Sequence, residues 1–286
     1  MKKVIPSLEG LEQVIEILAA DPRSGPNSAD WVRRNIGAAG EKVRILRYVS
    51  EKASSGGPPT RLLDIGAQIG SLAIYAAKLG FHAAAVDYGF FAGVYGKIAA
   101  DHGVDYRECD VGSQQLPFAD SSFDFVTYTD VIEHHAFSPK RVLREIHRVL
   151  APGGRVIITT PNHASIYNRI LLLFGKSVND RWDYYFEGSA NQAIYLGHHH
   201  EYTRGELRAA LEATDFRVRD CRVVEEDLAS LLYYLRRQRS AAQWYKYRRQ
   251  LLVRILGTVW TPLHLPFGRG LWAVGQKSAG EATSLS

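Results

Sequence analysis

The chain has 286 residues, of which 46% are hydrophobic and 23% charged, enough to bury a sizeable core in one large domain or two small ones. No run of about 18 uninterrupted apolar residues occurs, so no membrane-spanning helix is expected. Two cysteines, Cys109 and Cys221, exclude a disulfide framework or a CxxC metal site and suit a reducing cytoplasm.

The N-terminal stretch MKKVIPSLEGLEQVIEIL carries Glu9, Glu12 and Glu16 among its apolar residues, and it reads as an amphipathic helix rather than a secretory signal. Helices over about 8–20 and 40–53 form an N-terminal cap, residues 1–57, closed by the hinge-like SSGGPP. Strands and helices then alternate. The strands are Arg61–Ile65, His82–Asp87, Val104–Cys109, Phe123–Thr129 and Arg155–Thr160. The clearest helix is PKRVLREIHRVLAPGG, with Pro139 at its start, Val142, Leu143, Ile146, Val149 and Leu150 as one stripe, and Pro152-Gly153 as its stop. Such alternation predicts an α/β fold, a parallel sheet covered by helices on both faces. TRGELRAALEAT is another helix, with Thr203 and Glu206 spaced as a capping box, and FRVRDCRVV and LWAVGQK are further strands. The core is expected over 58–225 and 268–280, with insertions at about 163–196 and 226–267.

The turn in RLLDIGAQIGSLAIYAAKLG carries the first chemical signal. Glycines between a strand and a helix let a ligand approach the backbone and the free N–H groups of the helix start. A dinucleotide fingerprint, G-x-G-x-x-G, fails because Ala67, Gln68 and Ile69 separate Gly66 from Gly70. Asp64 before the turn would repel a pyrophosphate but suits a ligand with a positive end, such as the ammonium and sulfonium of S-adenosylmethionine. Asp87 ends the second strand, where an acid accepts from both ribose hydroxyls. Asp110 follows the third, where its carboxylate can take an adenine amino group beside the Val111 N–H. Ala67, Tyr88 and Thr129 complete this cofactor set. Asp87 and Asp110 also read, singly, as helix caps.

The stretches LLDIGAQIG, AAVDY, ECDVGSQQLPFADSSFDFVTYTDVIEHH and REIHRVLAPGGRVIITTPN resemble the class I S-adenosylmethionine-dependent methyltransferases, strongly over about 60–160 and moderately over 197–224. The resemblance implies a Rossmann-like, mostly parallel sheet of seven strands with the last antiparallel, and LWAVGQK fits that last strand. Gln68 stands where this family usually has glycine and narrows the space beside the methionine moiety.

On the acceptor side, TYTDVIEHHAFSP places Asp130, Glu133, His134 and His135 at the sheet's carboxyl edge, where open α/β folds hold substrates. GHHHEYTRGEL resembles the HxxEWTRxEF stretch of small-RNA 2′-O-methyltransferases, with His198 at the position of the histidine. Those enzymes pair it with a metal-binding ExxEH motif, also similar in ubiquinone-biosynthesis O-methyltransferases. Here the match is DVIEH, with Asp130 in place of the first glutamate. That likeness makes Asp130, Glu133, His134 and His198 a candidate site for Mg²⁺, Mn²⁺ or Zn²⁺. The same histidines, His134 or His135 aided by His198, are candidates for metal-free removal of an acceptor proton. Trp182, Tyr184, Tyr185, Phe186 and Tyr195 read either as a lid over the acceptor or as packing of the insertion.

The net charge of +5 is uneven. From Leu228 to Gly280 there are nine bases and no acid, which leaves 26 bases against 30 acids elsewhere. LASLLYYLRRQR and QWYKYRRQLLVRILGTVW place apolar stripes beside those bases, as an interfacial helix at 228–260 would. A hairpin folded onto the core or onto a homodimer partner explains the same pattern. Nucleic acid is disfavoured, since no RNA-binding module is recognisable. The expectation is a cytoplasmic enzyme, at the inner membrane face, that methylates a small-molecule acceptor, lipid-linked or glycosidic, at oxygen. An RNA 2′-O-methyltransferase and a non-catalytic cofactor-binding relative are the alternatives.

Overall fold

Seven strands form the sheet: β1 Arg61–Ile65, β2 His82–Asp87, β3 Asp105–Glu108, β4 Phe123–Thr129, β5 Leu150–Pro161, β6 Phe216–Val224 and β7 Gly270–Lys277. Their order is β3-β2-β1-β4-β5-β7-β6, and β7 runs antiparallel to both neighbours. This is the expected Rossmann-like α/β sheet. The computed structural model describes residues 5–25, 28–34, 39–53, 57–179, 197–224 and 268–279. The aromatic residues of 182–195 and the tract 228–260 lie outside the described residues.

Eight helices among the described residues flank the sheet: α1 Leu8–Ala20, α2 Ala29–Arg34, α3 Ala39–Lys52, α4 Ser71–Lys78, α5 Gly89–Asp101, α6 Lys140–Val149, α7 Ile166–Leu173 and α8 Arg204–Glu212. Each central strand alternates its side chains between two cores. Leu62, Ala85, Phe125 and Ile157 face α1 to α5, whereas Leu63, Val86, Val126 and Ile158 face α6 and α8. The N-terminal cap is thus part of one helical layer. In α1, Leu11, Val14, Ile15 and Leu18 repeat at helical spacing and are fully buried. The Ser7 N–H donates to the Tyr75 hydroxyl of α4 at 2.9 Å.

α2 was not foreseen, being short and built around a single buried Val32. β5 begins five residues earlier than its apolar run suggests. Helix α6 ends at Val149, short of the expected stop at Pro152-Gly153, and Leu150 belongs to the strand rather than the helix stripe: it pairs with Phe123, and the register shifts before Phe125 meets Arg155. Gly153, with φ +78°, turns the strand inside that irregularity. The capping box forms as read, Thr203 Oγ1 accepting from the Glu206 N–H and the Glu206 carboxylate from the Thr203 N–H.

Candidate active site

The turn between β1 and α4 holds its ligand groups by backbone geometry. Gly66 (φ +73°) and Gly70 (φ +71°) are both left-handed, a region glycine enters freely. Gly66 is also sterically necessary, because a Cβ there would lie 2.3 Å from Cγ2 of Val131. Gln68 is left-handed too, at φ +49°, and its side chain is exposed. Its N–H donates to Oδ2 of Asp87 at 2.7 Å, and its carbonyl accepts from the Tyr106 hydroxyl at 2.7 Å.

Three carboxylates follow on successive strand ends. Asp64 is buried and accepts from Thr127 Oγ1 at 2.7 Å. Burial raises its pKa to about 6, against the pull of the Thr127 hydrogen bond and Lys42. Asp87, also buried, accepts from the N–H groups of Gln68 and Tyr88 through different oxygens. Each oxygen keeps a second lone pair for a ligand hydroxyl. Asp110 is exposed and folds an Asx turn, accepting from the Gly112 N–H at 2.9 Å and the Ser113 hydroxyl at 2.6 Å. Those bonds hold its carboxyl below the usual range. Tyr88 is 57% exposed at the mouth, Ala67 is buried, and Val111 and Thr129 are half-buried.

Helix α3 supplies two residues that the motifs did not reveal. Lys42 Nζ donates to Ser71 Oγ at 2.8 Å, at the start of α4, and its charge faces Asp64, Glu41 and Asp130. Glu41 accepts from Thr159 Oγ1 at 2.8 Å. Burial and the charge of Asp130 push its pKa to about 8. Glu41, Lys42 and Asp130 all retain solvent access, yet loss of solvation is the main influence on each. They line a recess rather than an outer surface. The available signal was a charged pair in register with an apolar stripe, Lys42 leading to Leu46 and Val49.

The acceptor side is assembled from the chain after β4 and the segment before α8. A 3₁₀ turn, Ile132–His134, carries Glu133 and His134, and the N–H groups of His199 and His200 donate to the Glu133 carbonyl. Glu133 is 1% exposed. Its Oε2 accepts from Thr160 Oγ1 at 2.9 Å, but Oε1 is buried with no hydrogen-bond partner. Burial and Asp130 raise its pKa to about 8.

The rings of His134 and His198 meet edge to face at 4.8 Å. His134 Nδ1 lies 3.2 Å from the Gly197 carbonyl, and His198 Nδ1 lies 2.9 Å from Oε1 of Glu201. Donor atoms of Glu133, His134 and His198 all lie within 4.8 Å of one another. Asp130 is not in that set. His135 also stands apart: its ring stacks on Phe137 and Tyr128, and its Nε2 meets the Tyr128 hydroxyl. Burial lowers its pKa to about 4. Beyond His198 opens a cleft of about 220 Å³, lined by His163, Asn179, His199, His200 and Glu201 among others.

A methyltransferase-domain family matches residues 34–220, about two thirds of the chain. The chain belongs to the class I S-adenosylmethionine-dependent methyltransferases. Within that family it is 32% identical over 117 residues to a demethylmenaquinone methyltransferase of Clavibacter sepedonicus, covering 40% of this chain and 46% of that protein. It is 34% identical over 126 residues to a ubiquinone biosynthesis O-methyltransferase of Xanthomonas oryzae pv. oryzae, covering 41% and 48%. The chain thus spans about half the length of these curated relatives. A crystal structure of an S-adenosylmethionine-dependent methyltransferase from Mesorhizobium loti shares the fold, with a TM-score of 0.55 at 15% identity, covering 82% of this chain and 97% of that one. The matched region includes the β1–α4 turn described above.

Proposed function

We propose that the protein transfers the methyl group of S-adenosylmethionine to a hydroxyl of a small-molecule acceptor held in the cleft beside His198. The observation that carries the reading is the buried Asp64 carboxylate beside the glycine turn, with Lys42 facing it across the recess. A zwitterionic amino-acid end needs both signs: Asp64 takes the ammonium, and Lys42 with the start of α4 takes the carboxylate. Asp87 accepts from the ribose hydroxyls, Asp110 and the Val111 N–H meet the adenine, and Ala67, Tyr88 and Thr129 line the site. The acceptor hydroxyl then faces the sulfonium methyl from the His134–His198 side, and one of these imidazoles removes its proton. The names of the relatives, a demethylmenaquinone and a ubiquinone-pathway methyltransferase, favour an aromatic, lipid-linked acceptor.

A divalent cation fits this acceptor side. One donor atom each of Glu133, His134 and His198 lies within 4.8 Å of the others, and Oε1 of Glu133 is buried with no hydrogen-bond partner. When bound, the cation would lower the pKa of an acceptor hydroxyl.

Calorimetry with S-adenosylhomocysteine, followed by labelled S-adenosylmethionine and fractionated cell extract, tests the reading. Binding of S-adenosylhomocysteine and label in the lipid or small-molecule fraction are expected. Label confined to RNA, or NAD(P) binding without S-adenosylhomocysteine binding, overturns it. Zn²⁺ titration of the wild type against Glu133→Gln tests the cation, and equal affinity removes it.

A further inference from the structure

Nine large apolar side chains among the described residues are exposed, and four of them, Ile170, Leu172, Leu173 and Phe174, fall within five consecutive positions. They belong to α7 and the turn that ends it, and α7 has no buried residue. Burial of one face normally holds a helix to its domain, and a contiguous exposed apolar patch marks an interaction surface. The base of α7 is nevertheless secured. Ser165 caps it by accepting from the Asn168 N–H, and Asn168 Nδ2 donates to the His163 carbonyl at 2.9 Å.

Position and charge identify what α7 meets. His163 before the helix and Asn179 after it both line the acceptor cleft, so α7 projects from the cleft's rim. Gly268 and Arg269, inside the acid-free stretch of the sequence, meet the chain just before and within α7. Asn162 binds the carbonyls of Arg269 and Gly268, and the Arg269 guanidinium lies 4.9 Å from the centre of the Tyr167 ring. Between Asn162 and Asn179 the sequence has Arg169 and Lys176 and no acid, and the first acid is Asp180. A second copy seated here by a two-fold axis would set these cations against themselves. An apolar tip flanked by Arg169, Lys176 and Arg269 matches an anionic lipid surface.

We propose that α7 is an interfacial helix that docks the protein on an anionic bilayer through Leu172, Leu173 and Phe174 and turns the cleft between His163 and Asn179 toward the lipid. Docking stands independently of the methyl-transfer reading, and only the entry of an acceptor from the lipid rests on it. The test is co-flotation of the full chain with phosphatidylcholine vesicles, with or without phosphatidylglycerol, over a salt series. Binding to the anionic vesicles alone, weakened by salt, is expected. Replacing Leu172, Leu173 and Phe174 together by Ser should lower partitioning by about ten-fold or more, with S-adenosylhomocysteine affinity unchanged as the check on folding. Arg169→Glu with Lys176→Glu should remove part of the salt-sensitive binding. Wild-type flotation of the Ser variant, which would place any docking in 228–260, overturns the proposal. So does a wild type that ignores both vesicle types, including one that instead dimerises through α7.

Discussion

At the ends of β1 and β2, each ligand-facing group is short, buried and fixed by a backbone or hydroxyl partner, as Asp64 is by Thr127 and Asp87 by the Gln68 and Tyr88 N–H groups. At the ends of β4 and β5, the groups converge from α3, the 3₁₀ turn and the segment before α8. One half is preorganised by fixed backbone and hydroxyl partners, as the proposed cofactor site requires. The other stores uncompensated polarity, in the orphaned Glu133 Oε1 and the raised pKa values of Glu41 and Glu133. Perturbed groups of this kind gather where chemistry is done.

If the first half is rigid by steric design, its glycine should be the most sensitive position. Gly66→Ala is expected to destabilise by roughly 2–4 kcal/mol, combining the left-handed backbone with overlap against Val131. Adding Val131→Ala should recover only the overlap part in a denaturant-unfolding cycle. Asp64→Asn comes next. A charged hydrogen bond is worth ~1.5–3 kcal/mol, so calorimetric affinity for S-adenosylhomocysteine should fall about 10- to 100-fold.

The second half should show itself through pH. Glu41 has a folded pKa of about 8 against an ordinary 4.5, so between these values the folded chain holds a proton that the unfolded chain releases. Stability is therefore fullest below the lower value and declines as pH rises through the higher one, by at most about 1.4 kcal/mol per unit. The melting temperature of Glu41→Gln should fall less steeply with pH across that window, with the remainder due to Glu133 and, at its lower end, Asp64. The smallest effect sharpens the contrast. Gln68→Gly relieves a left-handed side chain while keeping both backbone hydrogen bonds, and should raise stability by at most about 1 kcal/mol.

The same contrast explains what could be read from residues alone. β1, its turn and Asp87 lie in two short stretches whose periodicity and glycines are local, and the alternation from 61 to 160 fixed the sheet's architecture. The β7 position followed only from the family pattern, since its pairing with β5 spans over a hundred residues. Glu133, His134 and His198 could be listed as candidates, but their convergence depends on His199 and His200 binding the Glu133 carbonyl, a contact no spacing reveals. The separation of His135 depends on the packing of Tyr128 and Phe137. Glu41 and Lys42 reach the recess by tertiary packing of α3, so only their place on an apolar stripe could have flagged them. No helix among the described residues is long and apolar enough to cross a membrane.

Val224 and Gly270 stand opposite each other on one rung of the β6–β7 ladder. The chain leaves the ladder after Val224 and re-enters it at Gly270, so the two ends of the intervening segment are held on one rung. Closing such an excursion grows only logarithmically with its length, about 0.6 kcal/mol for each doubling. By that cost, a longer or shorter segment between the two residues would leave the rung, and the β1–α4 turn three strands from β7, as they are.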